Sequence, residues 1–504
     1  MQVLQGETRG GANVSGGNGS RRLTIAEFAA SSAGRADEYH RYQIDTVVTK
    51  DVQPLPNRFI VKVGKVGLAK FLFKETIQYW GKWDVITSRP CTYGVFSGPV
   101  GGFNPRPKLC VGCLRCTIQH PEFTTIAPNP ARAALGDDYV THLHISAIDE
   151  EASKGTIPVR GQGYRGKFGG PGWEGMFTDM SEIVRPSRDG IHGRELIGTS
   201  VDIGSKPMSL EFDESGALTT APPRMLTIQV PFIFNAPPAS IASPKLHRIY
   251  TKTAADIDTL VALPADVVLS EGLASPAVVP ILPLTAAATA GGFGHGTRMV
   301  ELDGWDASLY LEATTIAPHL LIGVRIPFAP GWQQQLLEVQ AAGVPIIHLI
   351  ADHHGLGEDG GFVMDTLREA HMLLVDAGVR DAVTLLGSGG IIAADHLPKA
   401  IICGLDAVAL DLPLLFAMQA RARGDLSDRQ RTQIRMPRRF SEKWAVSRLT
   451  NLAASWRDQL LEILGAMGIR EVRRLRGELG RGMWQADLEA EAFAGIEGFP
   501  GGGA

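Results

Sequence analysis

Between residues 226 and 425 the chain alternates short apolar runs with longer polar stretches. The runs are Thr227–Phe234, Val267–Leu269, Val278–Leu282, Met299–Leu302, Leu320–Ile326, Ile346–Ile350, Val383–Leu386 and Ala407–Leu410. Runs this short and this continuously apolar suit strands buried on both faces, and most of the segments between them are long enough for a crossover helix. Eight such strands predict an α/β fold, a (β/α)8 barrel. The spacing tightens between the second, third and fourth runs, so one helix there is expected to be short or missing.

The rest of the chain reads differently. Within residues 426–504, Val446, Leu449, Ala453, Trp456, Leu460, Ile463 and Met467 repeat at steps of three and four, which places them on one stripe of a long C-terminal helix. That stripe would pack on the barrel or on a partner subunit. Gly465 and Gly468 stand where the helix would stop, and the glycine-rich tail from Gly498 is expected to fray. Residues 23–160 show no clear period apart from a strand at Phe59–Val63 and a helix around Phe71–Tyr79. Residues 161–225 form a glycine-rich connecting segment. Its Arg165, Lys167, Glu182, Arg185, Arg188, His192 and Arg194 suit either an anion site or a belt joining domains. Residues 1–22 are too polar and glycine-rich to bury a face, as in a flexible arm.

Charge removes one class of partner. Lys and Arg number 49 against 53 Asp and Glu, a net charge of −4, and the basic residues do not gather on one helix, so no nucleic-acid footprint is present. No run of about eighteen apolar residues occurs and the N-terminal stretch has no apolar segment, so a cytoplasmic chain with no membrane span is expected.

Cysteine adds candidate chemistry. Three of the five cysteines fall in Cys110-Val-Gly-Cys113-Leu-Arg-Cys116, between loops rich in proline and glycine. The spacing matches the bacterial ferredoxin ligand run, with His120 where the fourth cysteine would stand. It predicts a 4Fe-4S cluster on Cys110, Cys113 and Cys116, with Cys91 as the candidate fourth ligand and His120 as the alternative. A zinc site on the same residues is the competing reading.

In a parallel barrel the working residues follow the C-terminal ends of the strands. Asp352, His353 and His354 after strand six pair imidazole with carboxylate, which suits proton transfer, a metal or a strand cap. Arg325 in strand five carries a fixed charge fit for an anion or the electron-rich edge of a reduced flavin, and a salt bridge inside the mouth is the plainer reading. Gly387, Ser388, Gly389 and Gly390 follow strand seven as a turn fit for a phosphate, and Ser240 and Ser243 after strand one are further candidates for cofactor binding.

Several stretches resemble the FMN-binding glutamate synthase family: Gly169-Gly-Pro-Gly-Trp-Glu-Gly175 through Val201-Asp-Ile-Gly204, Gly387-Ser-Gly-Gly-Ile391, Ala407-Val-Ala-Leu-Asp-Leu-Pro-Leu-Leu415 and Ile463-Leu-Gly-Ala-Met-Gly-Ile469. The likeness covers about residues 85 to 475 and is closest to stand-alone members with a ferredoxin-type cysteine run. It implies FMN in the barrel, an irregular iron-sulfur region ahead of it, and reductive amination of 2-oxoglutarate with ammonia. It also implies an electron donor such as ferredoxin or a reductase subunit, and a possible homo-oligomer. No glutaminase domain or cysteine after Met1 is present, so ammonia would come free or from a separate glutaminase subunit. The chain departs from the family at three places. Leu302-Asp-Gly-Trp-Asp306 stands near where Lys-Pro-Gly-x-Gly-Gly is expected, Ala351-Asp-His-His-Gly-Leu356 replaces Ser-Gly-His-Asp-Gly-Gly, and Arg325 replaces a lysine. These departures keep open a related flavoenzyme with another substrate, or a non-catalytic electron-transfer subunit.

Overall fold

Eight short parallel strands close into a barrel: β1 (Phe232–Phe234), β2 (Val261–Pro264), β3 (Val278–Pro283), β4 (Met299–Asp303), β5 (Leu321–Pro327), β6 (Ile346–Ile350), β7 (Thr384–Ser388) and β8 (Ala407–Leu410). The structure is a computed structural model and describes residues 42–88, 91–97, 104–156, 169–179, 197–205, 210–220, 224–294, 296–429, 431–493 and 496. The expected N-terminal arm, the charged residues named in the connecting segment and the glycine tail lie outside the described residues. Among the described residues, no helix is long and apolar enough to cross a membrane.

The barrel carries its hydrophobic core in the strands themselves, with Val261, Leu263, Val300, Val324, Ile346, Leu385 and Val408 all fully buried. Two expectations for its strands need correction. The second strand is Val261–Pro264, and Val267–Leu269 belongs to the helix Ala265–Ser270 that follows it. Pro264 ends the strand at the helix N-cap, and burial of only Ala265 and Val268 on that helix shows a helical period that two adjacent valines obscure. The first run also divides. Met225–Ile228 pairs antiparallel with Val201–Gly204, and only Phe232–Phe234 enters the barrel. Pro231 lies between them, where its missing N–H interrupts a ladder. The hairpin docks at the N-terminal end of β7, where the Thr384 hydroxyl donates to the Gly204 carbonyl and accepts from its N–H, at 2.9 and 3.0 Å. The compressed spacing has its expected result: the β2–β3 helix has six residues, and β3 and β4 are joined by the 3-10 segment Leu284–Gly292.

The C-terminal helix is Glu442–Ala466, started by Ser441, whose hydroxyl accepts from the Trp444 N–H. It buries more than the expected stripe because it packs against both His142–Lys154 and Pro244–Asp256. Polar residues join that interface: Trp456 Nε1 donates to Glu151 Oε2 at 2.9 Å, and the fully buried Arg448 pairs with Asp149 at 2.6 Å. A small lobe forms ahead of the barrel, within the one compact unit Ile44–Ala504. Strand Phe59–Val63 pairs antiparallel with Thr124–Pro128, and the helix Lys65–Gln78 lays Leu68 and Phe71 on Phe96 and Phe123.

Candidate functional site

The barrel interior holds an ionic network on three successive strands. Glu301 of β4 and His348 of β6 are wholly buried, and Arg325 of β5 stands between them. One carboxylate serves both neighbours: Arg325 Nη1 donates to Glu301 Oε2 and His348 Nδ1 bonds Oε1, each at 2.9 Å. Side chains from β4 and β6 can meet across β5 only on the concave side of a closed sheet, so all three face inward. Burial alone would raise the Glu301 carboxyl; the imidazole of His348 and the guanidinium of Arg325 outweigh it and hold the carboxyl low. Burial pushes His348 the opposite way, below its ordinary value, and Arg325 and Arg429 add to that against the pull of Glu301. Of the pair, the imidazole is the neutral member, because Arg325 already supplies the countercharge to Glu301.

Closer to the mouth, Arg429 reaches in from the segment after the barrel. Its Nε donates to the carbonyl of Ala351 at 2.8 Å and its Nη1 to Asp411 Oδ1 at 2.7 Å, so it links the ends of β6 and β8. Asn235, just after β1, donates to the same Asp411 oxygen at 2.9 Å. Four buried polar atoms of this region have no hydrogen-bond partner: Arg325 Nε, His348 Nε2, Ser388 Oγ and Arg429 Nη2. Arg325 Nε does lie 3.4 Å from Asp303 Oδ1, as an ion pair without hydrogen-bond alignment. Polar atoms left unpaired inside a barrel mouth are costly, and a polar ligand seated there would satisfy them.

The triplet after β6 does not act as a cluster, because successive residues in a turn point different ways. Asp352 Oδ1 accepts from the Leu356 N–H at 2.7 Å, a cap on its own loop. His353 is buried under the 426–432 segment, with Nδ1 3.1 Å from the Leu426 carbonyl, and burial lowers its imidazole to about 4, aided by Arg429 and opposed by Asp411. His354 turns away to Asp137, Nε2 to Oδ2 at 2.8 Å. Burial would lower the His354 imidazole, but the hydrogen bond and charge of Asp137, with Asp352 and Asp425 behind it, hold it above its ordinary value.

The turn after β7 has a packing cause of its own. Gly389 takes φ +106°, and a Cβ there would lie 2.3 Å from the Asp352 carbonyl oxygen, so any side chain would drive the β6 and β7 loops apart. Tyr139 donates its hydroxyl to the Gly390 carbonyl at 2.5 Å, and His396 Nδ1 accepts from the Ile392 N–H at 3.2 Å. Ser243 uses its hydroxyl as the N-cap of Pro244–Asp256, accepting from Leu246, while Ser240 is exposed.

The small lobe carries four of the five cysteines. Cys110 and Cys116 are buried among Leu68, Phe71, Val95, Phe96 and Phe123, Cys91 is packed against that cluster and Cys113 is exposed. Burial raises the thiols of Cys110 and Cys116; the charges of Cys91 and Cys113 raise both further, and that of Cys116 raises Cys110. His120 stacks edge-on against Phe71 at 4.9 Å, with Nδ1 4.0 Å from Glu122.

Glu301, His348, Arg429, Tyr139 and Asp137 were not singled out from the sequence. The available signal lay in the strands: the apolar runs Met299–Leu302, Leu320–Ile326 and Ile346–Ile350 each hold one ionisable residue, which is unfavourable unless they pair.

Fold and site together define a closed parallel barrel with buried, unpaired polar groups toward the C-terminal ends of its strands and a lobe ahead of it in sequence that carries four thiols. Curated proteins it is similar to are glutamate synthases by name, in line with the resemblance of its motifs. The archaeal glutamate synthase (NADPH) of Archaeoglobus fulgidus is 25% identical over 469 residues, covering 77% of this chain and 89% of that protein. The archaeal-type glutamate synthase (NADPH) of Dehalococcoides mccartyi is 22% identical over 437 residues, covering 74% and 86%. No family model matches the chain. Among solved structures, mandelate oxidase with benzoyl-formic acid overlays with a TM-score of 0.39 at 13% identity, covering 69% of this chain and 91% of that one, too loosely to argue from.

Proposed function

We propose that the chain is an oxidoreductase of the glutamate synthase type, with FMN in the barrel mouth and a 4Fe-4S cluster on Cys91, Cys110, Cys113 and Cys116. It would carry out reductive amination of 2-oxoglutarate with ammonia. The observation that carries the flavin is the set of unpartnered buried atoms on Arg325, His348, Ser388 and Arg429, beside the turn at Gly387–Gly390. The similarity to glutamate synthases supports the reaction type. For the cluster the support is the ferredoxin spacing and two buried thiols, Cys110 and Cys116, whose pKa is raised by burial in an apolar shell, where thiolates would need a compensating cation.

Bound FMN would supply two-electron reduction of the imine, and the cluster would feed it electrons one at a time. The chain's residues hold and shield. Arg325, fixed by Glu301, would lend its charge to the flavin, Ser388 and the following glycines would line the side where its phosphate rests, and Arg429, tied to Ala351 and Asp411, would close the β6–β8 side. An external donor, ferredoxin or a reductase subunit, would deliver electrons, and ammonia would come free or from a separate glutaminase. Anaerobic purification with absorbance spectrum and iron and zinc assays tests the cofactors: a colourless, zinc-containing protein sinks them. Stopped-flow reoxidation of the reduced protein by 2-oxoglutarate plus ammonia tests the reaction.

One observation favours a second reading, a related flavoenzyme acting on another substrate. The expected substrate pair His353 and His354 is engaged with Leu426 and Asp137, away from a shared cavity. Under this reading the reduced protein is not reoxidised by 2-oxoglutarate and ammonia above background.

A further inference from the structure

The helix Lys65–Gln78 of the small lobe has two apolar sides. At about 100° per residue, Leu68, Phe71 and Glu75 fall on one side and are buried, while Val66, Phe73 and Ile77 fall on the opposite side in one narrow stripe. That second stripe is open: Phe73 is 72% exposed and Ile77 65%. Trp80 and Trp83 follow the helix, 77% and 59% exposed, with their rings 6.5 Å apart. One exposed apolar side chain is ordinary, but a second stripe followed by two exposed indoles is a patch that meets something.

Charge and residue type indicate what it meets. The exposed charges within 59–83 are Lys62, Lys65, Lys70, Lys74 and Lys82, with no exposed acid among these residues. Lys70 and Lys74 flank the stripe on the helix itself. The occupant is therefore anionic, and a second copy on a twofold axis would set lysine against lysine. Aliphatic Val66 and Ile77 offer a base no ring to stack on, so a nucleic acid does not account for the stripe. Protein interfaces are depleted in lysine and enriched in arginine, yet this face holds five lysines and no arginine. At a lipid surface a lysine stem lies along the apolar boundary and keeps its ammonium in headgroup water. Tryptophan favours the same boundary, with its ring in the apolar zone and its N–H wet.

We propose that Val66, Phe73, Ile77, Trp80 and Trp83, with the lysines beside them, seat the lobe on a lipid surface rich in anionic headgroups, where the helix lies in the interface without crossing it. Neither the flavin nor the cluster enters into this. The net charge of −4 on the whole chain does not oppose it, since charges more than about 10 Å from the surface are screened.

The test sediments the full-length protein, with the cofactors it carries, against vesicles of phosphatidylcholine alone and of phosphatidylcholine mixed with an equal amount of phosphatidylglycerol. The wild type is expected to bind the mixed vesicles about tenfold or more tightly, a preference lost at high salt. Phe73→Ser and Trp80→Ser each weaken that binding about tenfold, and Lys74→Gln about fivefold. Brominated lipid quenches the tryptophan emission of the wild type and quenches a Trp80→Ser, Trp83→Ser protein less. Equal binding to both vesicles, or to neither, overturns the proposal, as does undiminished binding by Phe73→Ser and Trp80→Ser. If no vesicle is bound, a dimer in sedimentation equilibrium that Phe73→Ser dissociates gives the face to a second copy, and a monomer gives it to an acidic protein; either overturns the lipid reading. The wild-type comparison needs no substitution, so misfolding of a variant does not shield the proposal.

Discussion

The thiol lobe and the barrel mouth bury polar chemistry in opposite ways. In the mouth, Glu301, Arg325 and His348 compensate one another, and only the outward sides of their polar groups are left for a ligand. In the lobe, Cys110 and Cys116 lie among phenyl rings, and the groups nearest them in charge are other thiols, which hinder ionisation. The mouth is a cradle that stands without its occupant. The lobe's thiols suit their apolar shell while protonated, and under the proposed cluster reading their ionised forms would depend on the bound group.

This contrast can be broken, most severely at Cys116. Cys116→Ser should abolish iron binding and leave residues 59–128 open to limited proteolysis, while the barrel keeps its thermal transition. Loss of both transitions together would show that the two regions are not independent. Glu301→Ala comes next. It leaves Arg325 and His348 buried without their shared carboxylate, and chemical denaturation should show a loss of about 3–5 kcal/mol. A loss under about 1 kcal/mol would mean that water compensates the pair and the cradle is not preformed.

The smallest effect concerns pH. Asp137 is pulled below its ordinary 3.8, since its bonds from His354 and from the Val140 and Leu426 N–H groups outweigh burial, and His354 lies above its ordinary 6.5. A raised imidazole stabilises below its unfolded value and loses that contribution as pH climbs through its folded value. A depressed carboxyl stabilises above its unfolded value and loses that as pH falls through its folded value. The pair is therefore worth most between 3.8 and 6.5. Wild type should exceed His354→Gln in stability by less than about 1 kcal/mol there, since both groups touch water, with the gap closing toward pH 8. A gap that widens above neutrality would reverse the assignment.

What could be read from the sequence follows from how local each signal is. β5 to β8 are contiguous apolar runs and stood out. β2 did not, because Val261-Ala-Leu-Pro264 is short and sits beside the more strand-like Asp266-Val-Val-Leu269, and only the barrel's closure decides between them. His348 hid for a related reason: one imidazole in Ile346-Ile-His-Leu-Ile350 reads as core until Glu301 is brought to it across the barrel. The cysteine spacing is local and was legible. Asp137 and Arg429 are not, since 217 residues separate Asp137 from His354 and 78 separate Arg429 from Ala351.

Asp137 gathers four donors: the N–H groups of Tyr139 and Val140 on Oδ1, and the Leu426 N–H and His354 ring on Oδ2. Three stretches far apart in the chain thus meet at one carboxylate by the barrel entrance. For anyone wishing to redesign that entrance, the loops cannot be exchanged singly. A graft of the 352–357 turn carries a requirement for its matching acid at 137 and its matching main chain at 426, so the practical unit of loop exchange here is the trio.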